Sequence, residues 1–139
     1  MNRSIIAACG LLLAACGPKS TFHDYSTPER ATRSFLEAGR VGDSASVRES
    51  VVAAERDADL HIDYGDLGDY SLMLDSLIDG ESAVVILKTG PVRSPVVCLA
   101  ERGEWKVTIR GTLKCMQDAL GMGSFADDTQ STRQSSPPR

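Results

Sequence analysis

Residues 70–88, YSLMLDSLIDGESAVVILK, decide how this chain folds. Leu72, Leu74 and Ile78 alternate with more polar positions, the period of a half-buried strand. Asp79-Gly80 is a two-residue hairpin signal, because both residues tolerate the positive φ of a type I′ turn. Residues 82–88, with Val84, Val85, Ile86 and Leu87, form the returning strand. A turn at Asp79-Gly80 sets Leu74 opposite Val85 and Leu72 opposite Leu87, so four apolar side chains share one face. A helix over 70–78 is the competing reading, since Leu and Met are good helix formers.

Working outward toward the C-terminus, residues 89–95 form a Gly/Pro loop, 95–101 a third strand, Arg102-Gly103 a turn and 104–109 a fourth strand. That register sets Trp105 opposite Ala100, Val107 opposite Cys98 and Ile109 opposite Val96. A bend near Gly111 then allows Leu113, Met116 and Leu120 to form a short closing helix. Residues 121–139 are mostly Ser, Thr, Gln, Asp, Gly, Arg and Pro, with Met122, Phe125 and Ala126 the apolar exceptions, which bury too little to offset the entropy of ordering, so a disordered tail is expected.

Toward the N-terminus, Ser26-Thr27-Pro28-Glu29 starts a helix: a hydroxyl caps it, Pro at the first position needs no N–H, and Glu suits the dipole. Ala31, Phe35 and Ala38 make its apolar stripe with Leu36 at the edge, and Gly39 is expected to end it. Gly42-Asp43 opens a second helix, capped by Asp43, with Val47, Val51 and Ala54 on its stripe. Two amphipathic helices cannot close a core alone. They pack on the strands, which predicts an α+β fold: two N-terminal amphipathic helices on a curved four-stranded antiparallel sheet spanning residues 26–120.

Residues 1–15 have the parts of an export signal: Arg3, an apolar run from Ile5 to Leu13, then Ala14-Ala15. The run is too short to span a bilayer, which takes roughly 20 residues. An ordinary secretory signal with a chance cysteine is the competing reading. Once residues 1–15 are removed, 124 of the 139 remain, and residues 16–25 become a tether. The chain carries 15 basic and 19 acidic side chains, a net charge of −4; loss of Arg3 takes it to −5. An acidic chain without a basic cluster argues against nucleic acid. It also has no electrostatic grip on anionic lipid.

Beyond Cys9 and Cys16, two cysteines remain, Cys98 and Cys115. In an oxidising compartment they are expected to pair. A zinc site is the weaker alternative, because no His lies near either thiol. Residues 55–81 hold nine acidic side chains against Arg56 alone. Their spacing lacks the register of a calcium loop, so 56–69 is expected to be a solvated acidic loop, with weak cation binding as the minor alternative. No metal, cofactor or catalytic residue is assigned.

Leu13-Ala14-Ala15-Cys16 resembles a bacterial lipobox, which implies acyl chains, palmitate among them, on Cys16 and cleavage before it. Gly17 after the lipidated Cys implies the outer membrane, facing the periplasm. Two or more acyl chains hold a protein stably on a membrane. Thr27-Pro28-Glu29, Ala31, Phe35-Leu36, Ala38, Gly42-Asp43 and Gly103-Glu104-Trp105-Lys106-Val107 resemble lipoproteins with a nuclear-transport-factor-2-like, or cystatin-like, cone domain. That resemblance implies a curved sheet around the first helix, with a pocket at its mouth. It does not imply a reaction. The expected function is non-catalytic binding of a small apolar ligand or a partner protein, in a pocket lined by Phe35, Leu74, Val85 and Trp105. One alternative is an isomerase or dehydratase drawing on His61, Asp63, Tyr64 or Tyr70; His23, in the tether, is a weaker candidate. The other is a structural subunit of an envelope assembly.

Overall fold

The computed structural model describes residues 17–64 and 66–121. The expected signal peptide at 1–15, Cys16 and all but the first residue of the expected tail at 121–139 lie outside the described residues. The fold is α+β. Helices α1 (Pro28–Val41) and α2 (Ser44–Ser50) precede four strands, β1 (Ser71–Ile78), β2 (Ser82–Thr89), β3 (Val92–Glu101) and β4 (Glu104–Val107), and α3 (Ile109–Ala119) follows them. The sheet is antiparallel in the order β1-β2-β3-β4.

Helix α1 begins as its sequence dictates: Thr27 accepts the Arg30 N–H, Pro28 stands at the start and Glu29 lies in the first turn. It does not end at Gly39. Gly39 stays helical, and Gly42 stops the helix with φ +75°. The Gly42 N–H donates to Gly39 O at 3.2 Å and the Asp43 N–H to Ala38 O at 2.9 Å, which satisfies carbonyls the helix end would otherwise orphan. Asp43 then caps α2, accepting from the Ser46 N–H. Helix α2 stops at Ser50, short of the expected stripe. Val51 bridges Val107, and the Val52 N–H donates to Val107 O at 3.0 Å, so two β-branched residues leave the helix for a strand edge.

The hairpin at 70–88 is a pair of strands rather than a helix, with Leu72 opposite Leu87 and Leu74 opposite Val85. Asp79 and Gly80 both have positive φ, as a type I′ turn requires. Trp105 faces Ala100 and Val107 faces Cys98, as the register predicts. Residues 89–95 are not a loop: Thr89 pairs with Val92, so only Gly90-Pro91 turns the chain. Pro95 sits inside β3 opposite Ile86. Its missing N–H falls on the side away from β2, which Val97 also uses, where β4 has already ended.

Ile109 does not extend β4 opposite Val96. The bend comes at Thr108, whose N–H donates to Val97 O at 2.9 Å and whose Oγ1 accepts from the Gly111 N–H at 3.0 Å, capping α3. Thr112 Oγ1 accepts from the Val97 N–H at 2.9 Å, so α3 covers the β3 edge that β4 leaves open. On the sheet's other face, Ala31, Phe35, Leu36 and Ala38 of α1 bury against a core that includes Val85, Val96, Cys98 and Val107, the last four with no exposed surface.

Gly111 is where the Thr108 side chain that caps α3 leaves no room for a Cβ. A Cβ there would lie 2.6 Å from Thr108 Cγ2 and 3.4 Å from Val97 Cγ1. Alanine gains about 1 kcal/mol of helix propensity, while overpacking costs about 1–3 kcal/mol. Gly111→Ala is therefore expected to lower the urea midpoint, with a net loss of about 1 kcal/mol; a raised midpoint would show that Thr108 moves aside freely.

Candidate functional site

Residues 56–64 and 66–69, between the 3-10 turn Ala53–Glu55 and β1, have no helix or strand. Within this acidic segment Leu60, Ile62 and Tyr64 are half-buried, while His61 and Asp63 are exposed. That alternation has the period of an extended chain, and it turns the apolar side chains down onto α1. Together with Leu67 they roof a partly open cavity of about 370 Å³. Phe35 and Leu36 of α1, Val47 of α2 and Ile109 of α3 complete its apolar wall; Gly39, Arg40, His61, Asp63 and Asp66 form its exposed rim.

Both ends of the roof are pinned. At its start Glu55 is buried, and its carboxylate accepts from Thr108 Oγ1 at 3.0 Å, the Ile109 N–H at 2.7 Å and the Arg110 N–H at 3.3 Å. A carboxylate over the first N–H groups of α3 satisfies orphan donors and suits the helix dipole. Next to it, Arg48 pairs with Asp57 and Arg56 Nε donates to Val51 O at 3.2 Å. At the far end Arg40 donates to Leu67 O at 2.5 Å and to Gly68 O at 2.6 Å. The Arg40 guanidinium also lies 5.6 Å from the Tyr70 ring centroid, and Tyr70 Oη donates to Glu37 Oε1 at 2.6 Å.

The expected pocket residues separate. Phe35 lines this cavity, whereas Val85 is sealed in the core, Trp105 packs at the core's edge and Leu74 stands 38% exposed on β1. The open space lies under the loop rather than between helix and strands, because Val85, Val96 and Cys98 fill the sheet face under α1. Of the catalytic candidates, His61 and Asp63 are on the rim, Tyr64 is in the wall and Tyr70 is outside it. His23 Nε2 lies 2.9 Å from Ser20 O, in the segment before α1 that the sequence assigned to the tether but that folds against Asp43 from Ser20 onward. Tyr64 Oη is buried without a hydrogen-bond partner, and burial pushes its phenol well above the usual range, with Cys98 adding to the shift. Leu60, Ile62, Leu67 and Arg40 were not singled out by the sequence, and Ile109 was assigned to a strand rather than to the site. The Leu60, Ile62, Tyr64 alternation was the available signal, hidden by the charge between.

Cys98 and Cys115 are free thiols. Cys98 Sγ faces α1, 3.4 Å from Thr32 Oγ1 and 3.7 Å from Pro28 O. Cys115 is on α3, which meets the side chain of Val97, and successive side chains of a strand point to opposite faces. The expected pair is present as two separate thiols, Cys98 buried and Cys115 half-buried. Burial pushes the Cys98 thiol up to about 11. Among the described residues no group of His, Cys, Asp or Glu is placed to hold a metal ion, and no helix is long and apolar enough to cross a membrane.

Two outcomes follow from these environments. Without reductant, iodoacetamide is expected to label Cys115 in the folded chain and to spare Cys98 until unfolding, read by peptide mass; labelling of neither would reveal a disulfide. Burial chiefly, and then the hydrogen bond to Glu37, push the Tyr70 phenol up to about 12 from an ordinary 10. The unfolded chain then releases this proton first, so the contribution is intact below pH 10 and is lost as pH climbs to 12. Tyr70→Phe is expected to be less stable than the parent at pH 9, with the gap narrowing by about 1–2 kcal/mol by pH 12; a constant gap in urea midpoints would refute the assignment.

No protein-family model, curated protein or solved structure matches this chain.

Proposed function

We propose that this chain is an envelope lipoprotein, held by acyl chains on Cys16 at the periplasmic face of the outer membrane. Its domain is read as a cone of the nuclear-transport-factor-2-like type that binds a small apolar ligand without transforming it. The lipobox-like Leu13-Ala14-Ala15-Cys16 supports the anchor, and two helices leading into a four-stranded antiparallel sheet support the fold.

The observation that carries ligand binding is the cavity of about 370 Å³ with Phe35, Leu36, Val47, Leu60, Ile62, Leu67 and Ile109 in its wall. Ligand sites are concave, chiefly apolar, and begin near this size, about 300 Å³. The carboxylates nearest to it, Asp63 and Asp66, are exposed at the rim, whereas a catalytic base of the isomerase kind needs to be desolvated. The second reading, a subunit of an envelope assembly, draws on β1 instead: as an edge strand it exposes Met73 (58%), Leu77 (54%) and Ile78 (54%).

Native mass spectrometry of the protein released from its own membranes tests the first reading. The expected species starts at Cys16, carries acyl chains and retains an apolar molecule of low mass. Recovery of the uncleaved chain from the soluble fraction would overturn the anchor. A cleaved, acylated chain that carries nothing and takes up no fluorescent apolar probe would overturn the ligand.

A further inference from the structure

We propose that the mouth of the cavity is held against the bilayer and takes an acyl chain of a membrane phospholipid straight from the leaflet that holds Cys16. The inference rests on the anchored, ligand-binding reading and adds the ligand's class and its route.

The first support is the tether. Only Gly17, Pro18 and Lys19 separate Cys16 from Ser20. Four extended residues reach at most about 14 Å. Ser20 is already part of the fold: it is buried, its N–H donates to Asp43 Oδ2 at 2.8 Å, and its Oγ accepts from the Phe22 N–H at 3.3 Å. Pro18 Cγ stands 4.0 Å from where a Cβ on Gly42 would be. The chain therefore arrives from the anchor at the corner between α1 and α2 and at no other part of the surface.

The second support is where the cavity opens. Gly39 and Arg40, in the last turn of α1, are on its exposed rim, and Val47 of α2 is in its wall. Gly39 O accepts from the Gly42 N–H at 3.2 Å, so the rim and the landing point of the tether are joined by one hydrogen bond. A tether shorter than the domain is wide fixes which face lies nearest the membrane, and that face carries the mouth.

The third support is the chemistry of the same corner. In a mature chain with net charge −5, it presents exposed Lys19 beside half-exposed Val41, while Arg40 and Arg48, also exposed, are engaged within the fold by Leu67 O, Gly68 O and Glu37 and by Asp57. Cations at headgroup level meet phosphate, and apolar wall begins directly behind them. A phospholipid fits both parts, its phosphate near Lys19, away from Asp63 and Asp66, and one acyl chain on Phe35, Leu36 and Ile62.

The test uses the full acylated protein in vesicles of phosphatidylethanolamine and phosphatidylglycerol containing a phospholipid with a diazirine in one acyl chain. After irradiation, peptide mapping is expected to place lipid on the segments containing Phe35–Arg40 and Leu60–Ile62. Label on the tether alone, or none on the protein, in a sample whose Cys16 is acylated would overturn the proposal and leave the anchor standing. An unacylated Cys16 would overturn both. A Gly/Ser insert before Ser20 that lengthens the tether to about 14 residues lies outside the fold. Effective concentration falls roughly as the −3/2 power of tether length, so cavity labelling is expected to drop roughly sixfold with an unchanged urea midpoint. Undiminished labelling would show that the short tether does not present the mouth, and would overturn the route.

Discussion

The Glu55 carboxylate is the constraint on which the rest of the site depends. It is a charged group taken almost wholly out of water, and that is tolerable only because three donors from Thr108, Ile109 and Arg110 meet it. Its partners are the first residues after β4, so one interaction fixes where the sheet stops and α3 starts. The same residue ends the short 3-10 turn from which the acidic loop departs. Ile109, held by its own N–H, supplies one wall of the cavity, and the loop leaving Glu55 supplies the roof. Cavity and chain path are thus consequences of one buried ion satisfied by a helix N-terminus.

Among the described residues the roof is a strand-like segment outside the four-stranded sheet. Leu60, Ile62 and Tyr64 point inward and His61 and Asp63 outward, so the loop resolves its own amphipathicity by lying on α1. What it lacks in ladder hydrogen bonds is supplied at its end, where Arg40 takes the carbonyls of Leu67 and Gly68. Arginine suits that position because one guanidinium nitrogen, Nη2, carries two N–H groups for the two acceptors while the face of the group meets the Tyr70 ring. Acidic side chains at the outward positions stay hydrated, so the charge of this segment and its contribution to an apolar wall do not conflict.

The hairpins were legible because register follows from turn chemistry and a period of two. Asp79-Gly80 and Arg102-Gly103 placed Leu72, Leu74, Trp105 and Val107 opposite their observed partners. Helix starts were legible for the same reason, since Thr27, Pro28 and Asp43 act within a few residues. Ends were not. Gly39 and Gly42 look alike as stop signals, and only the Asp43 contacts with Ala38 and Ser20 select the second. Val51 and Ile109 were assigned by continuing a local pattern, but each is claimed by something distant: Val107 for one, Glu55 for the other. The cavity was misplaced because composition locates apolar residues without saying which are already used. Val85 has no exposed surface to offer a ligand.

Gly39 is the residue that local rules explain least. It lies within α1, its φ is not in the left-handed region, and no atom within 4 Å would obstruct a Cβ. Neither backbone strain nor close packing therefore requires glycine there, and in a helix it costs about 1 kcal/mol relative to alanine. The free space beside it belongs to the rim of the cavity. A side chain at this position would stand in open space at the rim, which Arg40 and Asp66 also line. Sequences that obey local propensity nearly everywhere break it at functional sites. Glycine here gives up helix stability and leaves the rim of the cavity without a side chain at that point.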